Sequence, residues 1–334
     1  GSQGKEGHGN ALCSVLTAHI PAEEAATSGY GRIVRDSDGR TQAIVEAANA
    51  SESQQRITEV NTGIYAFDAE WLYTHVLPQL KPQPPKGEYY LTDAIELAAK
   101  AGRLRAIEHD DLTEVTGVND PVALSELETE ARHRINRYWM SQGVRLLDPT
   151  RTYIDMDVTL ASDVVIEPGV ILRGQTSIAS GARIGAGAHL TDCLVASRAD
   201  VNPYTVANQA SIGPSCTVSP LARLREGTVL DEGSKVGNFV ETKNTRLGAG
   251  AKANHLSYLG DADVGPRANI GAGTITCNYD GAQKHRTTIG KEAFIGSNTA
   301  LIAPIGIGEG ALVGAGSTLS ESVPDQALGL ARAK

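Results

Sequence analysis

Residues 158–190 read VTLASDVVIEPGVILRGQTSIASGARIGAGAHL, and the large aliphatics in this stretch recur every six positions. Leu160, Ile166, Leu172, Ile178, Ile184 and Leu190 keep that step, with the smaller Val158, Val164, Val170, Thr176, Ala182 and Ala188 two places before each. A period of six matches neither the turn of a helix nor a strand meander, and short fixed self-similarity belongs to a solenoid of stacked coils. The step returns in Ile289, Ile295, Leu301, Ile307 and Val313, where Gly290, Gly296, Gly308 and Gly314 follow four of the five. The pattern predicts a parallel β-helix of the hexapeptide kind, aliphatics stacked inside and glycines supplying positive φ at the corners. At about 18 residues per three-sided coil and about 4.8 Å between stacked strands, Thr152 to Ser320 would make nine or ten coils, a prism roughly 45 Å long. The step falters from Thr191 to Ser219 and again between Cys277 and Thr288, and breaks in a solenoid are where loops are expected to leave it.

Aromatic residues make up only 4% of the 334, and there are 36 glycines. A core so short of Phe and Trp is expected to be assembled from many small aliphatics in register. The net charge of -9 argues against general affinity for nucleic acid or anionic membrane, leaving small molecules and copies of the chain itself as partners. Cys13, Cys193, Cys216 and Cys277 are too scattered for a zinc site or a disulfide framework and are expected as small buried thiols. No apolar run reaches the roughly 18 residues of a membrane span, and the opening GSQGKEGHGN has no apolar leader region, so a cytoplasmic location is expected.

Before the solenoid, residues 1–119 read as a mixed α/β segment. Arg32 to Arg35 and Ala43 to Glu46 pair around the turn formers Asp36 to Gly39, and Val60 to Phe67 is a further strand. Thr92 is placed to cap a helix that Gly102 ends, with a short strand following through Ile107. Asp120 and Pro121 then form an N-cap and N1 pair, opening a linker helix over 120–143 whose apolar face is Leu124, Leu127, Ala131, Ile135 and Tyr138. Its other faces are polar, which suits a connector between two domains, the second being 144–334.

The richest polar segment is Arg223 to Thr287. Arg225, Lys243 and Tyr258 are 18 and 15 residues apart, close to whole coils, so they can line one groove. A cationic cluster on an acidic protein points to an anionic ligand, most simply a phosphate. His255 is the candidate base, because imidazole accepts a proton near neutrality. A lone histidine is as readily a surface residue, but this one sits in Lys252-Ala253-Asn254-His255-Leu256-Ser257-Tyr258, among cationic positions. His189, His255 and His285 are too unevenly spaced for a zinc ligand set. There is no Walker loop, no complete dinucleotide fingerprint and no serine elbow.

The runs RLREG, GNFVETKN, HLSYLGDADVG and NIGAGTITCNYDG, all between Arg223 and Gly281, resemble the bacterial bifunctional GlmU family. Members join a glucosamine-1-phosphate N-acetyltransferase to an N-acetylglucosamine-1-phosphate uridyltransferase, and the resemblance covers nearly the whole chain. It implies a left-handed β-helix that trimerises and takes acetyl-CoA and glucosamine 1-phosphate between subunits, in the synthesis of the cell-wall precursor UDP-N-acetylglucosamine. By motif, Arg225 and Lys243 would hold the sugar phosphate, and Tyr258, Asn269 and Lys284 would orient the sugar, Lys284 coming from a neighbouring subunit. His255 would be the general base. Ala272, Asn278, Tyr279, Ser297, Ala315 and Arg332 would line the acetyl-CoA path.

The first segment resembles the later part of the family's uridyltransferase domain. Gly31 in GYGRI, Glu46 in IVEA, Asn61 in VNTG and Asn119 in GVND match positions that contact the UDP-sugar, and Asn119 also matches a magnesium ligand. The glycine-rich nucleotide signature that opens the family, and the aspartate that completes its magnesium site, are missing, so the chain is expected to be N-terminally truncated and to lack uridyltransferase activity. It also stops just past Arg332, where relatives continue, which bears on acetyl-CoA affinity. Two other readings compete: an inert β-helix that only oligomerises a sugar nucleotidyltransferase, and a hexapeptide acyltransferase for another amino sugar.

Overall fold

In the computed structural model, which describes residues 11–82 and 89–331, the chain divides into two compact units, Gly1–Leu127 and Glu128–Lys334. Arg332 lies outside the described residues. None of the helices described is long and apolar enough to cross a membrane.

The first unit is built on a five-stranded sheet. Its strands are β1 (Cys13–His19), β2 (Arg32–Arg35), β3 (Thr41–Val45), β4 (Glu59–Phe67) and β5 (Leu104–Glu108), in the order β3-β2-β4-β1-β5. β2 and β3 form the expected hairpin, because the Asp36 carboxylate accepts from the N–H groups of Asp38 and Arg40 at 3.0 and 2.9 Å and closes the turn. The helix Asp93–Lys100 buries Ala94, Ile95 and Ala98, and the core it joins includes Val15, Ile33 and Ile44. Thr92 does not cap that helix with its side chain. Its hydroxyl donates instead to Glu46 Oε1 at 3.1 Å, so a residue expected to serve the helix serves a polar cluster.

The long helix Pro121–Ser141 starts as the sequence predicts, with Asp120 Oδ1 accepting from Ala123 N at 2.8 Å. Its packed face is only partly the predicted one. Leu124 and Tyr138 are 47% and 56% exposed, whereas Ile135 and Trp139 pack on the solenoid core. Between these two, buried Asn136 donates from Nδ2 to the carbonyls of Pro149 and Thr152 at 2.7 and 2.9 Å. Tyr153 N donates to Val170 O one coil further on, so the carbonyl that precedes a strand is satisfied by the coil before. The first coil has none before it, and the Asn136 amide takes that place.

From Arg145 onward the chain winds into a left-handed parallel β-helix whose three faces are parallel sheets of ten, nine and eleven strands. Two expectations about it are corrected. Thr191 to Ser219 sends out no loop: Leu190, Val195, Val201, Ala207, Ile212, Val218 and Leu224 are all buried in an unbroken core. The step shortens from six to five after Leu190 and after Ala207, always at the corner where the ten-stranded sheet passes to the nine-stranded one. The same corner holds the short steps Thr242 to Leu247 and Leu259 to Val264, and the insertion between Thr276 and Ile289.

The second correction concerns Gly290, Gly296, Gly308 and Gly314. None of them has positive φ. They are glycine because the next coil is too close: a Cβ on Gly296 would stand 2.4 Å from Ala315 N, and one on Gly290 2.5 Å from Glu309 N. Many of the left-handed corners are taken by larger residues, including Asp192, Asn244 and Asp261.

Candidate active site

Each inner residue of the ten-stranded sheet is flanked by two outward positions, and stacking turns these into rows. The register aligns Leu224 with Thr242 and Thr242 with Leu259, so Arg225, Lys243 and Gly260 fall in one row. Gly260 is followed there by Cys277 and Ile302. Arg223, Glu241, Tyr258 and Ile275 form the other row. Arg225 and Lys243 thus stack as their spacing predicts, but Tyr258 stacks on Glu241. Its ring nevertheless reaches the cationic row, because Gly260 leaves that position open: a Cβ there would lie 2.5 Å from Tyr258 Oη and 2.8 Å from Asn278 Nδ2.

The cations are held by carboxylates that the sequence alone does not single out. Arg225 Nη1 donates to Glu241 Oε1 at 3.0 Å, and its Nε lies 3.7 Å from Glu226 Oε2. Lys243 Nζ meets Glu226 Oε1 at 2.9 Å. The hydrogen bond that the Lys243 ammonium donates to Glu226 holds that ammonium above its ordinary range, and the same bond holds the Glu226 carboxyl below its own.

The insertion after Cys277 is a short hairpin. Tyr279 bridges Lys284 in antiparallel fashion, and His285 N donates to Asn278 O at 2.8 Å. Asp280 Oδ1 caps the turn by accepting from Ala282 N and Gln283 N at 2.8 and 2.7 Å, while its Oδ2 lies 2.7 Å from His285 Nε2. Arg286 forks onto Asp263, its Nη2 to Oδ1 at 2.6 Å, and anchors the returning strand.

Asp261, at the corner beneath this hairpin, binds both its ends. The carboxylate accepts from Asn278 Nδ2 at 2.5 Å and from Asn244 Nδ2 at 2.6 Å, and the carbonyl accepts from Thr287 N at 3.0 Å. Partial burial pushes the Asp261 carboxyl up, but the bonds from Asn244 and Asn278, with Lys284 and Lys243 nearby, outweigh this and hold it below the usual range. Lys284 thus lies near Lys243 within the one chain. A spacing of 17 from Asn244 to Asp261, one short coil, was the signal for this pair.

His255 stands at the other edge of the same sheet, on the corner that leads into it from the eleven-stranded face. Strand register places it in a row with Asn238 before it and Ala272, Ser297 and Ala315 after it, one residue per coil. That row is not apparent from sequence distances, because the steps between its members are 17, 17, 25 and 18 residues, the third one stretched by the insertion. His255 is exposed, and among the described residues none hydrogen-bonds its ring. Asn269 projects from the eleven-stranded sheet, paired with Lys252 and Phe294. The predicted residues thus form two groups: Arg225, Lys243, Tyr258, Asn278, Tyr279 and Lys284 along one edge, and His255, Ala272, Ser297 and Ala315 along the other.

In the first unit, Gly31, Glu46 and Asn61 do come together. A Cβ on Gly31 would be 3.5 Å from Glu46 Oε2 and 3.6 Å from Asn61 Cβ. Asn61 Nδ2 donates to Tyr65 Oη at 2.6 Å, and burial pushes the Tyr65 phenol up to about 12. Asn119 is exposed, and among the described residues no group of three or more His, Cys, Asp and Glu is placed to hold a metal ion. The residues present do not fit a magnesium site.

No known family model matches the chain. Among curated proteins it is similar to the bifunctional protein GlmU of Trichlorobacter lovleyi, 45% identical over 323 residues that cover 96% of this chain and 69% of that protein. The bifunctional protein GlmU of Staphylococcus haemolyticus is 45% identical over 98% of this chain and 71% of its own length. That of Carboxydothermus hydrogenoformans is 48% identical over 97% and 72%. Among solved structures, the UDP-N-acetylglucosamine acyltransferase of Francisella novicida aligns with a TM-score of 0.37 and 13% identity over 54% of this chain and 65% of that one. The same enzyme from Campylobacter jejuni aligns with a TM-score of 0.28 and 14% identity over 48% and 66%.

Proposed function

This chain belongs to the family of the bifunctional protein GlmU, and from that membership we propose that its solenoid transfers the acetyl group of acetyl-CoA to the amine of glucosamine 1-phosphate. The observation that carries the proposal is the row running Ala272, Ser297, Ala315 away from His255. Three small side chains in succession leave a track for an extended thioester arm, and the track begins at a base.

In this reading the His255 imidazole takes the proton from the substrate ammonium, freeing the nitrogen lone pair. The amine attacks the thioester carbonyl, the C–N bond forms, the C–S bond breaks, and coenzyme A leaves as a thiolate that takes the second proton, the one the attacking nitrogen gives up as it becomes an amide. General-base assistance of this kind contributes about 10²- to 10⁴-fold. Arg225 and Lys243 would hold the phosphate, with Tyr258 beside them and Lys284 close by.

The two groups of residues lie at opposite edges of one sheet, so a complete site would be shared between copies, one supplying His255 and its row, the other the cationic row and hairpin. The surface of the His255 edge supports this. Tyr204, Leu221, Phe239 and Leu256 line that corner at 61, 47, 57 and 64% exposure, each in left-handed backbone that disfavours a large side chain. An exposed apolar ridge is unfavourable in water and is the kind of surface a second copy covers.

The reaction is tested by following free-thiol release from acetyl-CoA with glucosamine 1-phosphate as acceptor. Turnover that disappears in His255→Ala is expected. No turnover in the assembled protein, or full turnover in the variant, contradicts the proposal. Unphosphorylated glucosamine is the control: equal rates would refute the roles given to Arg225 and Lys243.

A further inference from the structure

The phosphate-binding cations already have an anion between them. Of the carboxylates near the row, Asp261 is committed through both oxygens to the Asn244 and Asn278 amides, and Glu241 pairs with Arg225 from the next coil. Among the described residues Glu226 alone reaches both cations, its Oε1 2.9 Å from Lys243 Nζ and its Oε2 3.7 Å from Arg225 Nε. It does so from the chain position next to Arg225, at a corner where its carbonyl accepts from Asn244 N at 2.9 Å, so its backbone is fixed. Its side chain is 48% exposed and free to swing out.

We propose that Glu226 is a counter-anion of the site: it occupies the phosphate position between Arg225 and Lys243 and must be displaced when a phosphorylated acceptor binds. The inference rests on the phosphate role proposed above for those two cations. A carboxylate and a phosphate cannot both keep close contact with one ammonium without mutual repulsion. Glu226 therefore sets a threshold that every anion must overcome. Free inorganic phosphate meets it with electrostatics alone, whereas a sugar phosphate brings further contacts, such as those available from Tyr258. A penalty common to both leaves the ratio of their affinities unchanged but keeps free inorganic phosphate weakly bound, while the sugar contacts hold the true acceptor.

The test is calorimetric binding of glucosamine 1-phosphate, and separately of inorganic phosphate, to the full chain and to Glu226→Gln, with Lys243→Ala as reference. An exposed ion pair is worth up to about 1 kcal/mol, so Glu226→Gln is expected to lower Kd for the sugar phosphate roughly threefold to fivefold. It should lower Kd for inorganic phosphate by at least as much and leave the affinity for acetyl-CoA and the melting temperature unchanged. An unchanged or raised Kd in Glu226→Gln, with a raised Kd in Lys243→Ala, overturns the counter-anion while leaving the phosphate site standing. If Lys243→Ala also binds as tightly as the parent chain, the phosphate assignment falls and the counter-anion with it.

Discussion

The two edges of the ten-stranded sheet are built on opposite plans. Along the His255 edge the coils repeat with small residues in a straight row and an apolar ridge beside it. Along the Arg225 edge the step shortens four times, an insertion leaves the prism, and charged, amide and phenol side chains gather. Regularity makes a track, which suits a long flexible substrate that must lie along the axis. Irregularity makes a pocket wall, because only a change of step lets a loop such as 277–288 rise and bring Asn278 and Lys284 over the coil below.

The largest expected effect separates the edges by function. His255→Ala should lower kcat by about 10²- to 10⁴-fold while the melting temperature stays the same, since the ring is exposed and unpaired among the described residues. A fall in stability matching the fall in rate would make His255 a packing residue.

The next separates them by packing. Gly296→Val, on the regular edge, would put its Cβ 2.4 Å from Ala315 N and is expected to cost about 1–3 kcal/mol, read as a lower urea midpoint. Gly281→Ala, in the hairpin turn at φ +99°, has nothing within 4 Å and should cost only the backbone strain, about 1 kcal/mol. Equal costs would mean that the two edges are equally tight.

The inner beat was legible because a six-residue period shows directly which side chains point inward. The irregular edge was not, since one residue removed at a corner shifts the phase and makes an intact coil look broken, as between Thr191 and Ser219. Asp261 and Glu226 were passed over for a related reason. An acidic residue near a glycine reads as an ordinary turn former, and only the stacking of coils reveals that Asp261 faces Asn244 and that Glu226 faces Lys243. Arg225, Lys243 and His255 stood out because their residue types already suggest a ligand or a proton.

A smaller effect follows from Asp261. Its carboxyl is held below the ordinary carboxylate value, so its contribution is complete above an unfolded-state pKa of about 3.9 and is lost as pH falls through the lower folded-state value. Asp261→Asn should therefore melt slightly earlier than the parent at pH 7, and the difference should close below about pH 4. A difference that persists undiminished in acid would show that the carboxylate charge is not what clasps the hairpin.

The division of one site between two edges is tested most directly by complementation. His255→Ala and Lys243→Ala chains are each expected to be nearly inactive in acetyl transfer. Co-expressed in equal amounts and purified as mixed oligomers, they should regain activity approaching roughly a quarter of the parent level, the share of interfaces that pair an intact His255 edge with an intact Lys243 edge. Mixed oligomers no more active than the variants alone would place both edges of the site on one chain and contradict the account.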